Sequence, residues 1–140
     1  MGKESEVLQE RLKLLDEYTS DLRAFQEISF QEYQENKIIR RAVERTLHLV
    51  VETCLDIGRH MIVLEGFRAP EDNKDVFRVL NEEGIVSETL LASLISMAGF
   101  RNLIVHDYTR IDDGAVFGIL RKRLGDFDQF AKAVIQYIDS

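Results

Sequence analysis

Apolar residues recur at helical spacing along nearly the whole chain. Leu8, Leu12, Leu15, Leu22 and Phe25 fall at steps of three, four or their sums and predict a helix from about Ser5 to Phe25. A longer run through Ile39, Val43, Leu47, Val50, Cys54, Ile57, Met61 and Leu64 steps by 4, 4, 3, 4, 3, 4 and 3. Val51, Leu55, Gly58 and Ile62 add a neighbouring apolar face, so this second helix is expected to be covered on two sides.

Gly66 followed by Pro70 marks a stop, and a short helix around Val76 to Leu80 is expected to end at Gly84. Ser87 reads as an N-cap, opening a helix with Leu90, Leu91, Leu94, Ile95 and Ala98 inside that runs towards Arg101–Tyr108. Asp112 or Asp113 caps the last helix, where Phe117, Leu120, Leu124, Phe127, Ala131, Val134 and Ile138 alternate steps of three and four. No strand pattern competes, and there is no repeat, low-complexity tract or linker. The expected architecture is all-α: one domain over residues 1–140, an up-and-down four-helix bundle with one additional short helix.

Composition narrows the class. A chain of 140 residues, 45% hydrophobic, can bury a core without a metal or disulfide staple. Cys54, the one cysteine, closes no intrachain disulfide and builds no thiolate metal site, which fits a reducing cytoplasm. The charged start, Met1 to Glu6, is unlike a signal peptide. No apolar run is expected to approach the roughly 18 residues that span a bilayer, so no membrane partner is expected.

The formal charge of −7 argues against a general nucleic-acid coat, but the charge is unevenly placed. Residues 1–36 carry four basic and nine acidic groups and residues 69–100 two and six, whereas residues 37–68 carry six and four. Lys37, Arg40, Arg41 and Arg45 cluster at the start of the long helix, with Glu44 four residues after Arg40 and able to pair with it. That cluster is either a solvated face or a phosphate-facing patch for RNA.

The chemistry concentrates in Arg101-Asn102-Leu103-Ile104-Val105-His106-Asp107-Tyr108. On a regular helix Asn102 and His106 lie about 40° apart, and Arg101 and Tyr108 about 20°. Arg101 and His106 diverge by about 140°, so a joint site needs the helix to end or bend here, or a second chain to complete it. Cations in a last turn suit its exposed carbonyls, which raise a histidine's pKa towards neutrality. Such a histidine accepts the proton of a ribose 2′-hydroxyl while the arginine fork stabilises the charge gathering on phosphorus, with no metal or other cofactor. Tyr108 can orient the phosphate and Asn102 the imidazole. The structural alternative is that Arg101 binds helix-end carbonyls and His106 merely caps.

Arg101, His106, Asp107 and Tyr108 reproduce an R-x4-H-x-Y motif, and here the sequence resembles the HepT-like ribonuclease toxins of the HEPN superfamily. Met97–Phe100, Ile111-Asp112, Arg41–Arg45 and Cys54–Gly58 extend the likeness over most of residues 30–138. The resemblance implies an HEPN-like helical homodimer that cuts RNA at a composite cleft lined by Arg101 and His106 of both protomers. It also implies a partner of the MntA type, a minimal nucleotidyltransferase antitoxin that transfers AMP to the motif tyrosine, here Tyr108. Such a pair is of the type VII-like kind.

Competing patterns are weaker. Glu44, His48, Glu52, Asp56 and His60 recur every four residues, but each step drifts by about 40° and no second helix supplies ligands, so they read as hydrogen-bonding partners, with Glu52 or Asp56 able to hold an arginine. Cys54 reads as core; Phe100 and Ile104 are core or dimer contacts. The alternative function is a non-catalytic module that binds nucleotide or docks on a nucleotidyltransferase.

Overall fold

The long central pattern becomes α3, Lys37–Glu65, and decides where everything else packs. In the computed structural model, which describes residues 3–140 with side chains from Ser5, α3 touches α1 (Lys3–Arg23), α2 (Phe30–Glu35), α4 (Asn73–Glu82), α5 (Glu88–His106) and α7 (Leu124–Asp139). Both of its faces are buried as expected: Val43, Leu47, Val50, Cys54, Ile57 and Met61 on one, Val51, Leu55, Gly58 and Ile62 on the other. Leu64, at the end of the stripe, is exposed instead. Gly58 is required by packing, since a Cβ on it would lie 2.6 Å from Val76 Cγ1 of α4. Cys54 lies in the core, and burial pushes its thiol pKa up.

The expected caps at Ser87 and Asp112 form, and Asn36 and Asp72 cap two further helices. Asn36 accepts from the Ile39 N–H at 3.1 Å, Asp72 from Asp75 at 2.8 Å, Ser87 from Leu90 at 3.1 Å and Asp112 from Gly114 at 2.8 Å. Gly66 takes φ 71° and lets the Phe67 N–H reach the Ile62 carbonyl at 3.0 Å, which closes α3. The N-terminal expectation over Met1 and Gly2 lies outside the described residues.

Three features depart from the expected plan. Residues 30–35 form an additional short helix, α2, capped by Ser29 and anchored by the buried Tyr33. The last helix is two: α6 (Asp113–Lys122) and α7 part at Arg123, two residues before the helix-weakening Gly125. The break rotates α7 so that Phe130 fills the core while Ala131, in the continuous stripe, lies only part-buried. Finally, an apolar run does reach membrane-spanning length: α5 holds an 18-residue window of mean hydropathy 1.3, only 22% buried. Its length and composition arise because it is apolar on all sides, not only where it packs on α3 and α4.

The result is an up-and-down bundle of α1, α3, α5 and the α6–α7 pair, with α2 and α4 as short additions. No strand occurs among the described residues.

Candidate active site at the end of α5

α5 stays helical through His106, whose turn is closed by the Asp107 N–H donating to the Leu103 carbonyl at 2.8 Å. The chain then tightens into a 3-10 turn, Tyr108–Arg110, stitched by Arg110 Nε to Asp107 Oδ2 at 3.1 Å. Because the helix remains regular to its end, Arg101 and His106 keep the divergence their spacing dictates. Arg101 turns towards α3, where Nε donates to Glu52 Oε1 and Nη1 to Asn102 Oδ1 at 3.3 Å. Asn73 of α4 donates to the same Asn102 oxygen at 3.4 Å. His106 stands exposed in the last turn, on none of these partners.

Tyr108 is folded back over α3. Its hydroxyl donates to Glu44 Oε1 at 2.6 Å; the ring is half exposed while Glu44 is buried. That bond, with burial, holds the phenol pKa above the ordinary tyrosine value. The expected Arg40–Glu44 pair is not made: Arg40 donates to the Gln34 carbonyl and faces Asp113 at 3.9 Å, because α2 and α6 close over it. Tyr108 separates two grooves of about 390 Å³ each. One is lined by Arg41, Glu44, Arg45, His48, Ile104 and Val105, the other by Lys37, Arg40, Arg41, Thr109, Ile111 and Asp113 among others. Arg41 borders both and has no carboxylate partner among the described residues.

Sequence reasoning foresaw Glu52 as an arginine holder, and the four-residue stripe is divided accordingly. Glu44 serves Tyr108, Glu52 serves Arg101 and lies 3.9 Å from His48 Nε2, and Asp56 pairs with Arg11 and Arg59. Arg45 Nη1 lies 3.3 Å from His48 Nδ1, and burial, ahead of these charges, lowers the His48 pKa. No three His, Cys, Asp or Glu side chains gather to hold a metal ion among the described residues. Phe100 packs against the core, whereas Ile104 stays part-exposed at the groove. The Glu44–Tyr108 bond was missed; it joins residues 64 apart and leaves no local spacing to read.

An all-α bundle that ends its fifth helix in a polar Arg, His and Tyr cluster beside a basic helix defines a narrow class. The sequence profile described as Ribonuclease HepT-like matches residues 9–134, so the chain belongs to that family. It is 26% identical over 103 residues to the mRNA nuclease HepT of Shewanella oneidensis, covering 74% of this chain and 77% of that one. With the tRNA nuclease HepT of Aphanizomenon flos-aquae it shares 25% identity over 132 residues, 94% and 90% of the two chains. The fold matches that of the tri-AMPylated Shewanella oneidensis HEPN toxin in complex with MNT antitoxin, with TM-score 0.86, 20% identity and coverage of 97% and 99%. It equally matches YutE of Bacillus subtilis, a cytosolic protein of unknown function, with TM-score 0.85, 21% identity and coverage of 96% and 90%.

Proposed function

We propose that the chain is the toxin of a type VII-like toxin–antitoxin pair, an endoribonuclease in which His106 takes the proton of a ribose 2′-hydroxyl and Arg101 stabilises the charge developing on phosphorus. Attack by that oxygen leaves a 2′,3′-cyclic phosphate and a 5′-hydroxyl, and DNA, lacking the nucleophile, is not cut. The observation that carries this reading is Arg101 held by Nε against Glu52 and by Nη1 against Asn102 with Nη2 left without a partner among the described residues, five residues from a histidine at a helix end that has no partner among them either, in a chain of the ribonuclease family. Arg101 can approach phosphate as a pre-oriented fork. Asn102 and Asp107 support it: Asn102 braces the guanidinium, and Asp107 closes the turn that presents His106 and Tyr108. Arg41 and Arg45 line the groove that would receive the RNA backbone.

Because Arg101 and His106 point apart in one protomer, the cleft is completed by a second copy. The part-exposed apolar residues of α5, with only 22% of its apolar window buried, support that homodimer. The partner is an MntA-type nucleotidyltransferase that silences the toxin by transferring AMP to Tyr108, a bulky anion at the mouth of a phosphate-binding groove. The protein acts in the cytoplasm, as its lone buried thiol and the cytosolic description of YutE support.

The test is RNA digestion in excess chelator by wild type and His106→Ala. Cleavage by the wild type that falls about 10²- to 10⁴-fold in the variant, with cyclic-phosphate ends, is the expected result. Unchanged cleavage in the variant removes His106 from the mechanism. No cleavage by either protein, with nucleotide or transferase binding retained, makes the chain a docking module.

A further inference from the structure

Glu44 is an unusual place for a carboxylate. It is only 7% exposed, no cation lies within ion-pair distance among the described residues, and its described hydrogen bond comes from Tyr108, at 2.6 Å. A buried carboxylate without a counter-ion is costly, and a single phenol is a poor compensation. The phenol oxygen, by contrast, lies on a half-exposed ring at the ridge between two open grooves, so an electrophile can reach it from solvent while Glu44 stands behind it. Lys37, Arg40 and Arg41 line the groove on one side, where a newly attached phosphate would find cations.

From this geometry we infer that Glu44 is the general base for modification of Tyr108, so that the target protein carries part of the machinery for its own nucleotidylation. The inference rests on Tyr108 being the modified residue. In the step, Tyr108 Oη attacks the α-phosphorus of a nucleoside triphosphate supplied by the transferase. The Oη–P bond forms, the bond from phosphorus to the pyrophosphate oxygen breaks, pyrophosphate leaves, and the phenol proton passes to Glu44 Oε1. The modified tyrosine has no proton left to give Glu44, and its phosphodiester charge is repelled by the recovered carboxylate. It therefore turns towards Lys37, Arg40 and Arg41, which makes return to the starting arrangement unfavourable.

The experiment compares wild type, Glu44→Gln and Glu44→Asp between pH 7 and 9, folding being checked by circular dichroism. The charged groups around the phenol are Lys37, Arg40, Arg41, Glu44, Arg45 and His48 of α3 and Asp113 of α6. Burial lowers the His48 pKa, so over this range it stays neutral and the phenol is the group that begins to ionise. One arm uses an MntA-type nucleotidyltransferase with ATP. The other uses adenosine 5′-phosphorimidazolide, an activated nucleotide that needs no transferase. Adduct at Tyr108 is followed by peptide mass spectrometry.

Glu44→Gln is expected to slow labelling about 10²-fold at pH 7 in both arms and to gain about tenfold per pH unit as the phenolate forms, while the wild type stays nearly flat and Glu44→Asp recovers part of the rate. Wild-type rates and a flat profile in folded Glu44→Gln overturn the inference. Glu44-dependent labelling by the imidazolide alone, with no transfer from the enzyme, supports Glu44 and overturns the antitoxin reading instead. A wild type that takes label at Tyr108 in neither arm overturns both.

Discussion

Arg68 and Arg101 each hold helix-borne carboxylates, and the difference between them separates a strut from a site. Arg68, in the turn after α3, spends its whole fork on α4. Nε and Nη2 donate to Glu82 at 2.8 and 2.9 Å, and Nη1 and Nη2 to Asp75 at 2.7 and 2.9 Å. Asp75 accepts the Glu71 N–H besides, and these bonds hold its carboxyl well below the usual carboxylate range. Arg101 gives Nε to Glu52 and Nη1 to Asn102, and no partner engages Nη2 among the described residues. A guanidinium with every donor committed fastens a loop. One aimed by a single carboxylate keeps donors for a phosphate that has yet to arrive.

The contrast breaks most visibly at Arg101 itself. Arg101→Ala is expected to lower RNA cleavage about 10²- to 10³-fold while leaving the melting temperature nearly unchanged. If melting falls as far as in Arg68→Ala, Arg101 is a second strut and the contrast is lost.

A smaller effect tests the closed cluster. The Asp75 carboxyl is depressed on folding, so its stabilising effect is complete above its ordinary pKa of 3.8 and fades as pH falls through the lower folded value. Asp75→Asn should therefore melt several degrees below wild type at pH 7, and the gap should narrow steadily below about pH 4, with cleavage per folded molecule unaffected. A gap that persists into strong acid would assign the loss to packing.

The smallest effect lies in the core, where α2 meets α6. Tyr33 is wholly buried, its hydroxyl has no hydrogen-bond partner among the described residues, and burial raises its pKa. Tyr33→Phe keeps the ring packed on Phe117, 5.7 Å between centroids, and removes the unpaired hydroxyl. The variant should match the wild type or gain up to about 1 kcal/mol in chemical denaturation. A clear loss would mean that the hydroxyl is solvated or bound.

What was legible in the sequence followed from period and punctuation. The two-sided burial of α3, the Ser87 cap and the glycine stop at Gly66 are local properties of a few neighbouring residues. α2 escaped because six residues give too few turns for a period to show, although Ser29 followed three residues later by Glu32 is a helix-start signature. The break at Arg123 escaped because the alternating steps run straight through it; only the choice of Phe130 over Ala131 for the core reveals the rotation. Within the site, the eight-residue motif was readable as chemistry, and Glu52 as an arginine holder. Glu44 was assigned to Arg40 by its four-residue spacing, but the fold closes α2 and α6 over Arg40 and lays Tyr108 against Glu44. Local spacing proposes partners, and packing between distant segments disposes of them.

The burial of Cys54 has a practical side. With its one thiol sealed in the core, the folded chain should leave maleimide and spin-label reagents almost unreacted. Any cysteine introduced on the surface then carries the only addressable label, with no need to remove a native one first. Single labels near His106 or along α5 would turn the spacing between two copies, and its change when RNA or a transferase binds, into a distance that spectroscopy reads directly.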